Sequence, residues 1–447
     1  MDIEYNYEIP MRDGARLRGD VFRPQGANGR KMGFILAITP YGKQKPFDPA
    51  ELPVSRDFNP GFDGVVQSKY APFEGSDPLY WTRQGFAYII FDSRGSFASD
   101  GTHANFTAIT DGYDGYDIVE HIATMPDSNG HVAMIGAKDG RTVAALRPPH
   151  LSGICLQDGY SDLYREIGFR GGIPHMNFMG LLDGLYRPQG NRSGAVGLDM
   201  VRMCQENPHY DEMWQLYTPK IENIQCPLYI ISSLADNAIH TPGTIRGWMA
   251  APSEMKFLEL HPGDESVQYE GASGGTSWKI TFPERTEITG SCKLHLNFAV
   301  GEGATDADVF VTVQKLDRDG NAVLFPFHTF VHEGQVAYGW LRASKRTLDH
   351  HPVEDEVAHT FTENDARALE PNKFVELDIN IQPSATLFRK NESLVLAVQG
   401  HDFGTWSEQC QLPRGGAGLN TQASHIIALK GSFLEVPIIP SWIDRKV

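Results

Sequence analysis

Cysteine is scarce. The chain has five in 447 residues, Cys155, Cys204, Cys226, Cys292 and Cys410, odd in number and widely spaced. They read as reduced core thiols of an intracellular protein, not as a disulfide framework. No CxxC pair is present, and the one adjacent histidine pair, His350-His351, stands in a polar stretch, so neither a metal nor any other cofactor is expected. No apolar run approaches the ~20 residues needed to span a bilayer. The start, Met1-Asp2-Ile3-Glu4-Tyr5, lacks the basic and apolar regions of a signal peptide, and a cytoplasmic location is expected. Basic residues are the minority, 39 Lys+Arg against 56 Asp+Glu for a net charge of −17. An acidic surface with no basic run repels phosphate backbones, which excludes nucleic acid as the expected partner. Internal repeats and long linkers are missing too.

What is there is ordinary globular material. Hydrophobic residues make up 41% and charged residues 21%, which excludes a disordered or fibrous chain. The length suggests two or three domains of ~100–200 residues each. Residues 5–9 and 17–22 predict paired strands around the turn Arg12-Asp13-Gly14. The runs 33–39 and 85–92 are apolar throughout and suit strands buried on both faces. A helix is predicted over 111–125, with Tyr113, Tyr116, Ile118, Val119 and Ile122 near helical spacing and an acidic first turn. Further buried strands are predicted at 131–136, 151–157, 228–232 and 256–260. Strands alternating with helices imply a mostly parallel sheet covered on both faces. Between 162 and 218 no run reads as a buried strand, and a mostly helical insertion over the sheet is expected. From about Trp278 the pattern is almost purely β, with strand-like runs at 293–300, 308–315, 374–381 and 393–399, and a hairpin turn at Asp317-Arg318-Asp319-Gly320-Asn321.

One junction carries chemistry. The buried strand ending at Ile135 runs into Gly136-Ala137-Lys138-Asp139-Gly140. In a nucleophile elbow of pattern G-x-S-x-G, such a turn lifts a serine above the sheet edge. Both glycines are in place, and the nucleophile position holds Lys138.

The surrounding segments are Met11-Arg12-Asp13-Gly14, Pro40-Tyr41-Gly42-Lys43, Asp92-Ser93-Arg94-Gly95-Ser96 and Ser99-Asp100-Gly101. They continue with Pro126-Asp127-Ser128-Asn129-Gly130, Pro149-His150-Leu151, Gly159-Tyr160-Ser161-Asp162-Leu163-Tyr164-Arg165-Glu166 and Gly339-Trp340-Leu341-Arg342-Ala343-Ser344. With these, the chain resembles the CocE/NonD hydrolases, the group of cocaine esterase and the Xaa-Pro dipeptidyl-peptidases, over nearly its whole length. The resemblance implies an α/β fold: an α/β-hydrolase domain with a helical cap, followed by a C-terminal jelly-roll β-sandwich. The expected boundaries are 1–275, with the cap at about 160–220, and 276–447.

The departures from that family matter as much as the match. Its serine falls on Lys138. The helix after the elbow is expected to be about one turn short, ~3.6 residues. Its catalytic histidine belongs in the loop His261-Pro262-Gly263-Asp264-Glu265-Ser266, at Glu265. A segment with a helix that relatives place before the sandwich is expected to be missing. The acid position survives as Asp236. Activated Oγ, base and orienting acid are all required for serine hydrolysis, and two of the three are replaced.

Lys138 on the elbow can donate hydrogen bonds, stabilise negative charge, or form a Schiff base if burial lowers its pKa. Glu265 and Asp236, with Asp139 adjacent, can hold it charged. The plainer reading is a salt bridge filling the space of a dead triad. The resemblance puts the hydroxyl of Tyr41 in an oxyanion hole whose other donor is the amide of Asp139; Tyr41 is otherwise a core tyrosine. His175, His240 and His261 are the histidines near the pocket, each a base near neutral pH or a structural residue. The cap residues Phe178, Met179 and Tyr186 suit an apolar ligand, or form the underside of a packed cap. Arg94 and Asp100 are expected to pair in a structural turn.

Three functions remain open. One is an enzyme that abandoned hydrolysis for an isomerisation, cyclisation or lyase step on a small apolar metabolite, with specialised-metabolite tailoring suggested by analogy of fold. The second is a residual esterase or peptidase with another nucleophile, and the third a non-catalytic binding protein. The expected partners are a small-molecule substrate and, at most, a second copy of the chain in a homodimer.

Overall fold

The structure, a computed structural model, describes residues 1–27, 29–44, 67–101, 109–136, 140–157, 159–186, 199–233, 236, 240–251, 256–261, 275–325, 333–350, 356–403 and 425–439. The first half supplies strands β1 (Asp2–Pro10), β2 (Arg16–Arg23), β3 (Met32–Thr39), β4 (Ala87–Asp92), β5 (Ser128–Gly136), β6 (Leu151–Gln157), β7 (Phe169–Arg170), β8 (Ile173–Pro174), β9 (Leu228–Ser233) and β10 (Lys256–His261). All except β7 and β8, a small hairpin, join one sheet in the order β1-β2-β4-β3-β5-β6-β9-β10. From β4 to β10 the neighbours are parallel. Side chains alternate across a strand, so Phe34, Leu36, Ala87, Ile89 and Phe91 enter one core, while Ile35, Ala37, Tyr88 and Ile90 enter the other. That two-sided burial is why β3 and β4 read as unbroken apolar runs.

Helices α1 (Pro78–Arg83), α2 (Ile109–Ala123) and α3 (Gly140–Ala145) cover this sheet. The insertion contains a π-helical turn, Tyr164–Gly168, the β7–β8 hairpin, and helices α4 (Met176–Tyr186), α5 (Met200–Glu206) and α6 (Glu212–Gln215). It is mostly helical, as expected, with the hairpin an addition that two-residue strands do not announce. Helix α7 (Thr241–Ala250) lies between β9 and β10.

The second half contains β11 (Gly275–Thr281), β12 (Thr286–Val300), β13 (Asp308–Leu316), β14 (Ala322–Val323), β15 (Ala337–Arg342), β16 (Val375–Phe388), β17 (Ser393–Gln399), β18 (His425–Glu435) and β19 (Ile438–Ile439). The order is β11-β17-β13-β15-β16-β12-β18, antiparallel throughout, and β15 meets β16 at the single pair Gly339↔Ile381. There the sheet folds over into a sandwich. Alternating residues Leu294, Leu296 and Phe298 of β12 and Leu377, Ile379 and Ile381 of β16 fill its core with Val309, Val311 and Val313 of β13. The same apolar cluster continues into Tyr160, Tyr164, Phe169, Met179 and Trp214 of the insertion. Cap and sandwich therefore share one core. The α/β-hydrolase domain with helical cap and C-terminal jelly-roll sandwich is the architecture found. Among the described residues, no helix is long and apolar enough to cross a membrane.

Candidate active site

Tyr41, Gly136, Asp236 and His261 stand at or just after the carboxyl ends of the parallel strands β3, β5, β9 and β10. β5 ends at Gly136, whose φ of +140° is rarely open to residues with a side chain. α3 begins at Gly140, where an added Cβ would lie 2.6 Å from Leu156 Cδ2 of β6. Gly136 thus leaves the strand in a backbone conformation that favours glycine, and Gly140 lets the helix seat on the sheet. Ala137, Lys138 and Asp139 lie outside the described residues, as do Glu265 and the segment after β10 expected to lack a helix. His261 closes β10 beside Ser233 of β9, and Tyr186 closes α4; their side chains are outside the description.

Tyr41 follows β3 and is buried. Its amide donates to Thr39 Oγ1 at 3.1 Å, and its ring meets Phe73 edge-on at 4.8 Å between centroids. The neighbouring Lys43 anchors this loop: its amide and its Nζ each donate to the Asp92 carboxylate at 2.8 Å. The turn after β4 is structural, but its pairing differs from expectation. Arg94 binds Asp114 (Nε to Oδ2, 2.7 Å) and Asp13 (Nη1 to Oδ2, 2.8 Å), while Asp100 binds Arg18 at 2.8 Å. Asp13 and Asp114 flank Arg94 from the β1–β2 turn and α2, a long-range arrangement that local sequence does not reveal.

The structure brings Asp236 and His240 together. Both lie on the connection from β9 to α7, and His240 Nδ1 stands 2.5 Å from Asp236 Oδ2 in a buried setting. The amides of His240 and Thr241 donate to Asp236 O at 3.2 Å each, and Thr241 Oγ1 donates to Ser233 O. The helix thus starts on the acid residue, and four-residue spacing at a helix start faces the two side chains to each other. The ring of Tyr160 lies over the imidazole, with centroids 5.2 Å apart.

Arg170 was not singled out from the sequence. It donates from Nε to His175 Nδ1 at 3.3 Å and lies 4.8 Å over the Trp340 ring. Burial lowers its guanidinium to about 10, against the pull of Asp402 and Asp236. His175 stacks on Phe178 at 5.3 Å, while Phe178 and Met179 are buried in the shared apolar core. A cavity of about 340 Å³ opens beside these groups, lined by Arg165, Glu166, Arg170, Tyr210 and Trp340 among others. The signal for Arg170 was the Gly171-Gly172 pair after it: a Cβ on Gly171 would fall 1.9 Å from Trp340 O, so the hairpin presses on the sandwich. Among the described residues, no group of three or more His, Cys, Asp or Glu is arranged to hold a metal ion.

Residues 13–265 match the family model of the X-Pro dipeptidyl-peptidase (S15 family), and residues 233–433 that of the X-Pro dipeptidyl-peptidase C-terminal non-catalytic domain. Cocaine esterase from Rhodococcus sp. (strain MB1 Bresler) is 30% identical over 131 residues. That match spans 29% of this chain and 18% of the esterase. A CocE/NonD family hydrolase from Staphylococcus aureus has the same fold, with a TM-score of 0.84 at 24% identity over 98% of this chain and 94% of the other. An α-amino acid ester hydrolase superposes with a TM-score of 0.63 at 13% identity, over 98% of this chain and 96% of the other.

Proposed function

The chain belongs to the X-Pro dipeptidyl-peptidase (S15) family, within its CocE/NonD hydrolase group, and from that premise we propose that it has exchanged serine hydrolysis for proton transfer on a small apolar molecule. The reaction class is an isomerisation, cyclisation or lyase step, of the kind used in specialised-metabolite biosynthesis. The observation that carries this reading is the Asp236–His240 pair, 2.5 Å apart. An imidazole oriented at Nδ1 by a carboxylate moves protons through Nε2. In the sequence Lys138 stands where the G-x-S-x-G pattern has its serine, so this reading gives the base no alcohol to activate. Lys138 and the Tyr41 hydroxyl are the electrostatic partners for an enolate oxygen.

The test takes two forms. Intact mass after treatment with a fluorophosphonate should be unchanged. A panel of small carbonyl compounds in D₂O, followed by proton NMR, should show enzyme-dependent exchange next to the carbonyl. His240→Gln should slow that exchange by ~10²–10⁴-fold, and Lys138→Ala by ~10²–10³-fold. If Lys138 only fills a salt bridge, Lys138→Ala lowers the melting temperature and leaves the exchange rate alone. Family membership itself favours a second reading, hydrolysis by another nucleophile, and one stoichiometric serine adduct would restore it.

A further inference from the structure

Helix α7 has little helical propensity, with Pro242, Gly243, Gly247 and two threonines in ten residues. Its buried face is Thr241, Gly243, Thr244 and Gly247, a face almost without side chains. The segment 159–166 lies directly on it. An added Cβ on Gly243 would fall 1.9 Å from Glu166 Oε2, and one on Gly247 would fall 2.7 Å from Ser161 Oγ. The Ser161 hydroxyl donates to Gly243 O. Thr244 Oγ1 lies 3.2 Å from both the amide and the carbonyl oxygen of Gly159.

Glu166 ties this junction. Its side chain is 1% exposed. Oε2 accepts from the Ser161 amide at 2.8 Å, and Oε1 accepts from Arg246 Nη1 of α7. The two elements it joins are the ones that hold the imidazole. His240 is the residue from which α7 starts, and Tyr160, next to Ser161, covers the ring.

We propose that Glu166 is a positioning residue for the Asp236–His240 pair. By gripping Ser161 and Arg246 at once, it fixes Tyr160 over the imidazole and the helix start beneath it, so that Nδ1 stays on the carboxylate. This rests on the proton-transfer reading of that pair. A built-in control exists: Glu356 holds the same arginine from the sandwich side, with Arg246 Nε donating to its Oε2 at 2.9 Å.

A short imidazole–carboxylate hydrogen bond gives a far-downfield proton resonance in H₂O, and its loss in His240→Gln assigns it. In the full-length protein above about pH 7, where the Glu166 carboxylate is charged, Glu166→Gln should abolish or broaden that resonance, while Glu356→Gln keeps it. Persistence in Glu166→Gln, or equal loss in both variants, overturns the proposal alone. A wild-type spectrum without the resonance overturns the Asp236–His240 pairing, and this inference with it. Should Glu166→Gln not fold, Glu166→Asp keeps the carboxylate but shortens its reach to the Ser161 amide and Arg246, and an unchanged resonance there counts against the proposal in the same way.

Discussion

Burial drives Glu166 and His359 in opposite directions. Glu166, facing Arg246 on α7, Arg141 on α3 and Asp162 on its own turn, is pushed up to about 7 from an ordinary 4.5, with desolvation the largest cause. His359, near Asp378, Arg165 and Glu356, is pushed down by desolvation to about 4 from 6.5. Between pH 4.5 and 7 the folded state holds more protons at Glu166 than the unfolded chain, so stability from that group falls as pH rises. Between pH 4 and 6.5 the unfolded chain holds more protons at His359, so its contribution rises with pH. Over the shared window the two groups act in opposite directions. Urea midpoints measured across that window separate the two groups when each is replaced singly. Glu166→Gln should become more stable from pH 4.5 to 6.5, and His359→Gln less stable. Parallel slopes in all three proteins would refute the opposition. None of this is legible in the sequence: Glu166 and Arg246 are eighty positions apart. The resemblance singles out Asp236, and His240 is one of three histidines expected near the pocket, but their pairing is not legible, because the four-residue spacing means something only once a helix is known to start at Thr241.

Among the elements, apolar runs that bury both faces were legible, and elements made by contact with others were not. β15 contains Gly339, where an added Cβ would lie 2.9 Å from Asn380 O; it exists because a neighbouring strand lies so close. β18 is interrupted by Gly431 at φ +90° and by a register shift against β12, which breaks the alternation a reader looks for. α7 is the strongest case, its glycines lowering propensity while opening the face it needs. Two alanine substitutions separate these effects. Gly180→Ala, at an exposed position of α4 with Val201 Cγ2 at 3.8 Å from the new Cβ, should stabilise by up to about 1 kcal/mol. Gly243→Ala gains the same propensity but meets a buried carboxylate, and should destabilise by about 1–3 kcal/mol. Thermal melts that raise both midpoints would show that the contact on α7 yields at no cost.

Across the whole molecule, the apolar cluster shared by cap and sandwich decides how the chain comes apart. Lys345 reinforces the join, its Nζ donating to Tyr164 Oη at 2.8 Å and to Pro208 O at 2.6 Å, with burial lowering the ammonium to about 8. Two architectural halves were readable from the change of pattern near Trp278. Their dependence on each other was not, since composition does not say which side chains meet. Calorimetry should show cap and sandwich melting in one cooperative transition, with near- and far-ultraviolet dichroism changing together. A separate early transition, with the sandwich still folded, would contradict this. The common core also bears on redesign. A lid borrowed from a relative would bring its own half of a jigsaw whose other half stays behind in the β-sandwich. Redesign of this scaffold is therefore to be reached by replacing single wall residues, not by exchanging the lid as a module.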